Sequence, residues 1–187
     1  MAEKQPTPPK ITLTEAKARV WKMMEDLDFA MFTTRKGKSI VSRPMSTIVK
    51  HDEGRIYILT HGNGDAVKES KADPNVLLSY GNGSNKFVSA QAKADLSDVK
   101  ALIKRLWNPG AQVFWPDGPE KSDVTAIVLS PVSAEFWDGP TGIVSTAKFL
   151  FGLVAGSTPD MGDNASVRLK QETHPSMAGQ VATGFQR

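Results

Sequence analysis

The chain has 187 residues, of which 40% are hydrophobic and 23% charged, a composition typical of one globular domain with tails. It contains no cysteine, which excludes disulfides, thiolate catalysis, iron–sulfur clusters and cysteine-ligated zinc. The net charge of +3 comes from the first fifty residues, where ten Lys and Arg outnumber five Asp and Glu.

The N-terminal segment precedes the first predicted element. Its first ten residues are polar and rich in proline and lack the apolar core of a signal peptide, and the sequence has no apolar run long enough to cross a membrane. Together with the missing cysteines, these features predict a cytoplasmic protein.

The first predicted element is a helix over 13–27. Thr12 and Glu15 form a capping-box pattern at its start. Apolar residues then recur at helical spacing, and Trp21 lies on or beside this apolar stripe. The pattern therefore predicts a helix that packs one face against the rest of the domain.

A strand-rich body follows this helix. Alternating apolar patterns between turn signals predict strands over 29–35, 39–50, 55–60, 76–80, 86–95 and 125–137. Pro44 lies inside the second, which indicates an edge strand, a bulge or a local break. Short strands that follow one another through tight turns favour an antiparallel barrel, so the fold class is mainly β, of the α+β type, with six strands and flanking helices.

Further helices are predicted between and after these strands, over 65–72, from a cap at Ser97 to Trp107, and over 143–154. From residue 157 onward the chain is polar and is expected to be loose or to wrap around another surface. We therefore divide the chain into a flexible N-terminal arm, one domain and an extended C-terminal tail, over 1–11, 12–156 and 157–187.

An aromatic corner is predicted between the last two strands. Residues 106–119 contain Trp107 and Trp115, two of the four tryptophans, together with three prolines and two glycines. Prolines end helices and make the backbone rigid, and tryptophans are large apolar anchors. The composition fits a recognition surface and a buried core corner equally well.

One candidate binding site is the strand–loop–helix at 59–72. Gly62 and Gly64 allow backbone N–H groups to approach a ligand, and the start of the next helix offers further donors and a partial positive charge. Phosphate is the natural ligand of such a loop, and Lys68 could add a charge. Taken alone, the loop is more typical of a plain glycine turn with a solvent-facing lysine.

A second candidate is Ser-Arg-Pro-Met at 42–45. The proline frees backbone groups that can bind the edge of a planar ring, and the Arg43 guanidinium can reach a phosphate. An edge-strand arginine paired to a surface carboxylate explains the same residues. The three histidines, His51, His61 and His174, lack metal-ligand spacing, and no metal site is predicted.

Several motifs together resemble one known family. They are Ser-Arg-Pro-Met at 42–45, Leu-Thr at 59–60, Ala-Asp-Pro-Asn-Val at 72–76, the tryptophan block at 106–119 and Ala-Glu-Phe-Trp-Asp-Gly-Pro at 134–140. Over residues 13–167 the chain resembles bacterial general stress proteins of the pyridoxamine 5′-phosphate oxidase-like, FMN-binding split-barrel superfamily. The resemblance implies a six-stranded split barrel with Greek-key character and a homodimer with flavin sites, for FMN or FAD, at its interface.

The resemblance also implies which residues bind the flavin. They are Ser42, Arg43, Pro44, Met45, Leu59, Thr60, Lys68 and Trp107. Two departures matter for function. Ala66 stands where many relatives carry a phosphate-binding lysine, and the C-terminal arginine-rich motif of true pyridoxamine phosphate oxidases is missing, which argues against vitamin B6 oxidation.

Three hypotheses for function follow. The first is a flavin-binding protein that acts as a low-turnover oxidoreductase, for which no catalytic residue can be named. The second is a non-catalytic stress-response module that holds the flavin or has lost it. The third, nucleic-acid binding, rests only on the basic first fifty residues, which do not interleave with aromatic residues.

Overall fold

The computed structural model describes residues 11–82, 85–139 and 163–169. The helices in these ranges are α1 (Leu13–Leu27), α2 (Asp65–Ala72), α3 (Lys100–Leu106), α4 (Pro109–Phe114) and α5 (Gly118–Lys121). The strands are β1 (Phe29–Lys36), β2 (Ser39–Ser46), β3 (Ile48–Lys50), β4 (Arg55–His61), β5 (Asn75–Gly81), β6 (Lys86–Ser97), β7 (Val124–Asp138) and β8 (Asp163–Arg168).

All eight of these strands belong to one antiparallel sheet. Their order is β2-β1-β5-β6-β7-β4-β3, and β8 pairs with β7 beside this path. The two strands that end the path, β2 and β3, are consecutive in the chain and separated only by Thr47. The sheet curls into a barrel. Within the described ranges no pairing joins β2 to β3, so the barrel is split and not closed. The predicted mainly β fold class is confirmed.

The predicted second strand is in fact two strands. The residue between them, Thr47, donates from its backbone nitrogen and from its hydroxyl to the carbonyl oxygen of Asp28, at 2.8 and 2.9 Å. These bonds hold Thr47 at the junction of α1 and β1, so the ladder breaks there. Pro44 lies in β2, which pairs with β1 alone along the sheet path, as expected for proline in an edge strand.

The second difference is β8, which lies in the part of the chain expected to be loose. Its residues pair with β7 over 133–138, and Val167 is buried against the main core. The polar composition of the tail concealed this strand, because only one of its side chains is a buried large apolar group. The predicted arm residues 1–10 and the predicted helix over 143–154 lie outside the described residues, so the predicted domain boundaries stay a prediction.

The predicted cap at Ser97 is wrong. Residue 97 is the last residue of β6, and α3 starts after Val99, which has no side chain able to cap it. The hydroxyl of Ser97 instead accepts a 3.4 Å hydrogen bond from the Val99 nitrogen in the turn. A serine three residues before the first residue of a helix can therefore resemble a cap in the sequence while it ends a strand.

The main core lies between α1 and the inner face of the sheet. The capping box at the start of α1 is present, since the Glu15 nitrogen donates to Thr12 Oγ1 at 3.2 Å and the Thr12 nitrogen donates to Glu15 Oε2 at 2.9 Å. The largest fully buried side chains of this core come from α1, β1, β4, β5, β6 and β7, and include Val20, Met24, Phe32, Leu78 and Phe136. None of the described helices has the length and apolar character needed to cross a bilayer.

An ion-pair network joins the turn before β4 to α3. Arg105 donates to both oxygens of Glu53, and the Tyr57 hydroxyl donates to Glu53 Oε2 at 2.5 Å. The hydrogen bonds from Arg105 and then from Tyr57 lower the pKa of Glu53 to about 2. The Arg105 guanidinium also lies over the Tyr57 ring, at 5.7 Å from its centroid. The network therefore stabilises the fold only while Glu53 is ionised.

This network predicts an acid-dependent loss of stability. The folded pKa of Glu53 lies below its ordinary value of 4.5, so its contribution is complete above that pH and is lost as the pH falls towards 2. Urea denaturation at about pH 5 and about pH 2.5 should show a larger loss for the wild type than for Glu53→Gln. Equal losses would contradict a stabilising role of the network.

Candidate functional site

A cavity of about 360 Å³ opens where the ends of β2 and β4 meet the aromatic corner. The barrel contributes Phe29, Pro44, Met45, Ser46, Ile48, Leu59, Thr60 and His61 to its lining. Four of the eight predicted site residues, Pro44, Met45, Leu59 and Thr60, are among them. The split barrel brings these residues together because β2 and β4 approach each other across the unpaired seam beside β3.

The aromatic corner forms the opposite wall of this cavity. It contributes Asn108, Gly110, Ala111, Phe114 and Trp115. The prolines here start helices as well as ending them, since Pro109 opens α4 and Asn108 Oδ1 accepts the Ala111 nitrogen at 2.9 Å as the N-cap. The Phe114 side chain is 74% exposed, whereas Ala111 is buried. The corner is therefore a rigid wall between the protein interior and the solvent.

Trp107 and Trp115 have different places in this wall. Trp107 is not among the residues that line the cavity; its indole nitrogen donates to Gln112 Oε1 at 2.9 Å, and its ring packs 6.1 Å from that of Trp115. Trp115 does line the cavity, and its indole nitrogen donates to Nδ1 of His61 at 3.2 Å. Both tryptophans lie in the same sequence block, so the sequence identified the wall but not the residue that faces the cavity.

Arg43 points away from the cavity, to a buried carboxylate. Its Nη2 donates to Glu69 Oε2 at 2.5 Å, and the Thr34 hydroxyl donates to the same oxygen at 2.5 Å. Glu69 lies on α2 and is only 5% exposed. Burial raises the pKa of this carboxyl, but the hydrogen bonds from Thr34 and Arg43 outweigh burial and lower it. Arg43 is thus paired to a carboxylate, as one alternative anticipated, although that carboxylate is buried.

Ser42 and Lys68 also lie away from the cavity lining. The Ser42 hydroxyl is exposed and lies 2.9 Å from the Thr33 hydroxyl on the outer face of the sheet. Lys68 is exposed on the first half of α2. Ala66, which the resemblance aligns with a lysine of many relatives, is 5% exposed and packs into the main core. The assignment of Ser42, Arg43, Lys68 and Trp107 to a cofactor therefore stays a prediction.

The glycine loop before α2 has its backbone donors largely occupied. The Gly62 nitrogen donates to the Asp123 carbonyl at 3.3 Å and the Gly64 nitrogen to the His61 carbonyl at 2.9 Å. A Cβ on Gly62 would lie 2.5 Å from Asp123 Oδ1, so a larger residue there would have to displace the Asp123 side chain. Gly64 caps α2 without a side-chain bond, so the donors left for a phosphate are those of the first helical turn.

A second cavity, of about 500 Å³, lies on the outer face of the sheet around β1, β5 and β6. Its charged groups already have partners: Arg35 lies 3.4 Å from Asp73, and Lys93 donates to the amide oxygen of Asn75. None of the eight predicted site residues lines it. The smaller cavity is therefore the candidate site.

The lining of the candidate site suits a planar ring. It combines aromatic and aliphatic side chains with a few polar groups, and none of the described lining residues is an acid, a lysine or an arginine. The residues present thus fit the ring of a flavin, and the groups that could meet its phosphate are Lys68 and the backbone donors of the first turn of α2. Among the described residues, no group of three or more His, Asp or Glu could hold a metal ion.

Comparison with known proteins identifies the family and the fold. The profile of the family "Pyridoxamine 5′-phosphate oxidase like" matches residues 15–160. A crystal structure of a candidate general stress protein 26 from Jannaschia sp. CCS1 is 22% identical, with a TM-score of 0.69 over 84% of this chain and 99% of that chain. The general stress FMN/FAD binding protein of Xanthomonas citri is 19% identical, with a TM-score of 0.62 over 70% and 93% of the two chains.

A third solved structure, general stress protein 26 from Bacillus anthracis str. Sterne, is 16% identical, with a TM-score of 0.58 over 65% of this chain and 92% of that chain. At these identities the solved structures show a common fold. No curated protein matches the sequence. The family profile covers most of the domain, and the structure has the open antiparallel barrel that the solved relatives share. The chain belongs to the pyridoxamine 5′-phosphate oxidase-like family.

Proposed function

We propose that the chain binds a flavin, FMN or FAD, with the isoalloxazine ring in the cavity between β2, β4 and the aromatic corner. The observation that carries this proposal is the cavity itself, whose lining is apolar and aromatic and includes Pro44, Met45, Leu59 and Thr60. The family and the fold shared with the FMN/FAD binding protein of Xanthomonas citri support it.

In this proposal the protein supplies position and exclusion of water, while the flavin supplies hydride chemistry. Pro44 and Met45 on one side and Leu59 and Thr60 on the other hold the ring. Lys68 and the open N–H groups at the start of α2 attract the phosphate. A low-turnover oxidoreductase is the first form of this function.

A non-catalytic module that holds flavin, or has lost it, is the second form. Two observations favour it. Arg43 already binds Glu69, so its charge is largely neutralised, and Ala66 is turned into the core. Both leave the phosphate with fewer cationic partners than the resemblance implies. The ring therefore carries more of the binding free energy than the phosphate.

The proposal includes a homodimer in which a second copy covers the outer face of the sheet. This face exposes large apolar side chains next to the cavity, namely Phe29, Met31, Phe87 and Trp137. Phe29 and Pro44 belong both to the cavity lining and to this face of β1 and β2. A second copy here would bury apolar area and narrow the mouth of the cavity. The cytoplasmic location of the protein stays a prediction. Nucleic-acid binding, the third hypothesis, stays one as well.

Titration of the purified protein with FMN, followed by flavin fluorescence, tests the proposal. We expect saturable binding with a Kd in the micromolar range or tighter. Lys68→Ala should weaken FMN binding several-fold and leave riboflavin binding unchanged, because riboflavin has no phosphate. Lys71→Ala removes the same charge from the far end of α2 and is the matched control. Absence of saturation up to millimolar FMN would overturn the proposal, and sedimentation of the same sample reports the dimer.

A further inference from the structure

Among the described residues that line the candidate cavity, His61 is the only titratable one. It is the last residue of β4, and its side chain is exposed at the rim. The other polar side chains of the lining are neutral, and Asn108 already accepts the Ala111 nitrogen through its Oδ1. His61 is therefore the strongest polar group that the cavity presents.

Trp115 determines which nitrogen of His61 carries the proton. An indole nitrogen can only donate, so Nδ1 of His61 must accept the 3.2 Å hydrogen bond from Trp115 Nε1. The two rings are packed edge to face, with centroids 5.1 Å apart, which fixes the plane of the imidazole. In the neutral imidazole the proton is then on Nε2. Within the described residues, Nε2 has no hydrogen-bond partner.

We propose that His61 is a ligand-binding residue, whose Nε2–H donates a hydrogen bond to an acceptor atom on the edge of a planar heteroaromatic ring in the cavity. The inference rests on the proposed function and deepens it, since it names the group that selects the polar edge of the ring. The remaining lining is aromatic and aliphatic, so it holds the faces of a ring but offers few donors to its edge. A flavin ring has carbonyl oxygens and unprotonated nitrogens at its edge that can accept this bond.

Two substitutions of His61 distinguish the role of Nε2 as a donor from the role of Nδ1 as an acceptor. Gln at position 61 places an amide N–H where Nε2 lies but removes the acceptor for Trp115, whereas Asn retains an acceptor near Nδ1 and removes the distal donor. We expect His61→Asn to weaken both FMN and riboflavin binding about tenfold, and His61→Gln to keep the wild-type affinity within about twofold. Both variants should fold, because the side chain is exposed.

The opposite order would overturn the inference. If His61→Gln loses affinity and His61→Asn keeps it, His61 acts only by holding Trp115 in the cavity wall. Equal affinities for the wild type and both variants would also overturn it while leaving the flavin proposal intact. If neither FMN nor riboflavin binds the wild type, both the proposed function and this inference are wrong.

A spectroscopic measurement tests the tautomer of His61 directly and requires no turnover of the flavin. In the ¹⁵N NMR spectrum of the protein at neutral pH, His61 should show a protonated Nε2 and an unprotonated Nδ1. Riboflavin should shift the Nε2–H resonance, and Trp115→Phe should remove the preference for this tautomer. A protonated Nδ1 in the wild type, or no shift of Nε2–H at saturating riboflavin, would contradict the assigned role.

Discussion

Glu69→Ala should lower the free energy of unfolding by about 3 kcal/mol, the largest loss of stability that we expect outside the apolar core. The substitution removes the carboxylate that accepts hydrogen bonds from Arg43 and Thr34, and it leaves the guanidinium, which is only 22% exposed, without its partner. An unpaired charge at a buried site costs far more than the loss of a surface ion pair. Urea denaturation at neutral pH measures the effect.

Asp65→Ala is the matched control for this prediction. Asp65 lies on the same helix and pairs with Lys36 at 2.9 Å, but both side chains of that pair are about 60% exposed. The change in its free energy of unfolding should stay within the error of the measurement, because solvent screens an exposed pair. A Glu69→Ala loss as small as that of the control would show that water reaches the Arg43 guanidinium and that the pair is not buried in solution.

This prediction affects how the flavin site is tested. Arg43→Ala is the obvious variant for a residue expected to bind phosphate, but it would leave Glu69 buried without its cation. The variant would lose stability whether or not it lost a flavin contact. Substitutions of exposed residues separate the two effects, and β2 offers such a pair.

Ser46→Trp should weaken FMN binding on the order of a hundredfold or more. Ser46 is exposed and lines the cavity, so an indole there occupies the volume that the ring needs without overpacking the core. Ser42→Trp is the matched control, because Ser42 is an exposed serine on the same face of β2 and lies outside the lining. We expect the control to change the affinity by less than about threefold.

Two outcomes of this comparison would contradict the predicted position of the flavin. If Ser46→Trp binds FMN as the wild type does, the ring lies elsewhere. If Ser42→Trp loses as much affinity as Ser46→Trp, the cofactor extends along β2 to Ser42, as the resemblance implies. Circular dichroism and thermal unfolding of both variants exclude a general loss of structure.

Most of the fold could be predicted because local patterns and tertiary packing agree. The capping box at Thr12 and Glu15 and the alternation in the strands identified α1 and the sheet. The break at Thr47 could not be predicted, because it depends on bonds to the distant Asp28 carbonyl. The strand β8 was missed for a similar reason, since its pairing with β7 joins segments that are far apart in the sequence.

The sequence predicts a residue of the site correctly only where the position of that residue in a strand is enough to place it at the cavity. Pro44, Met45, Leu59 and Thr60 line the cavity because they lie at strand ends that the barrel brings together. Arg43 does not line the cavity, because its long side chain reaches Glu69 on α2. No sequence pattern predicts Glu69 as its partner. Asn108 and Trp115 were accessible in principle, as a helix cap and as a member of the tryptophan block. His61 lacks metal-ligand spacing in the sequence, and its bond to Trp115, 54 residues away, cannot be predicted from any local pattern.

The seam of the barrel has a consequence for how a ligand enters. Edge strands open more readily than central ones, because each has a neighbour on one side only. The strands at the two ends of the sheet order, β2 and β3, carry part of the cavity lining, including Met45 and Ile48, whereas β6 and β7 are held on both sides. Brief fraying of these two edge strands on either side of the anchored Thr47 would therefore widen the cavity for a bulky ring without any movement of the corner helices. A ring bound there would tie the two edges together, so that occupancy would slow hydrogen exchange most at the seam.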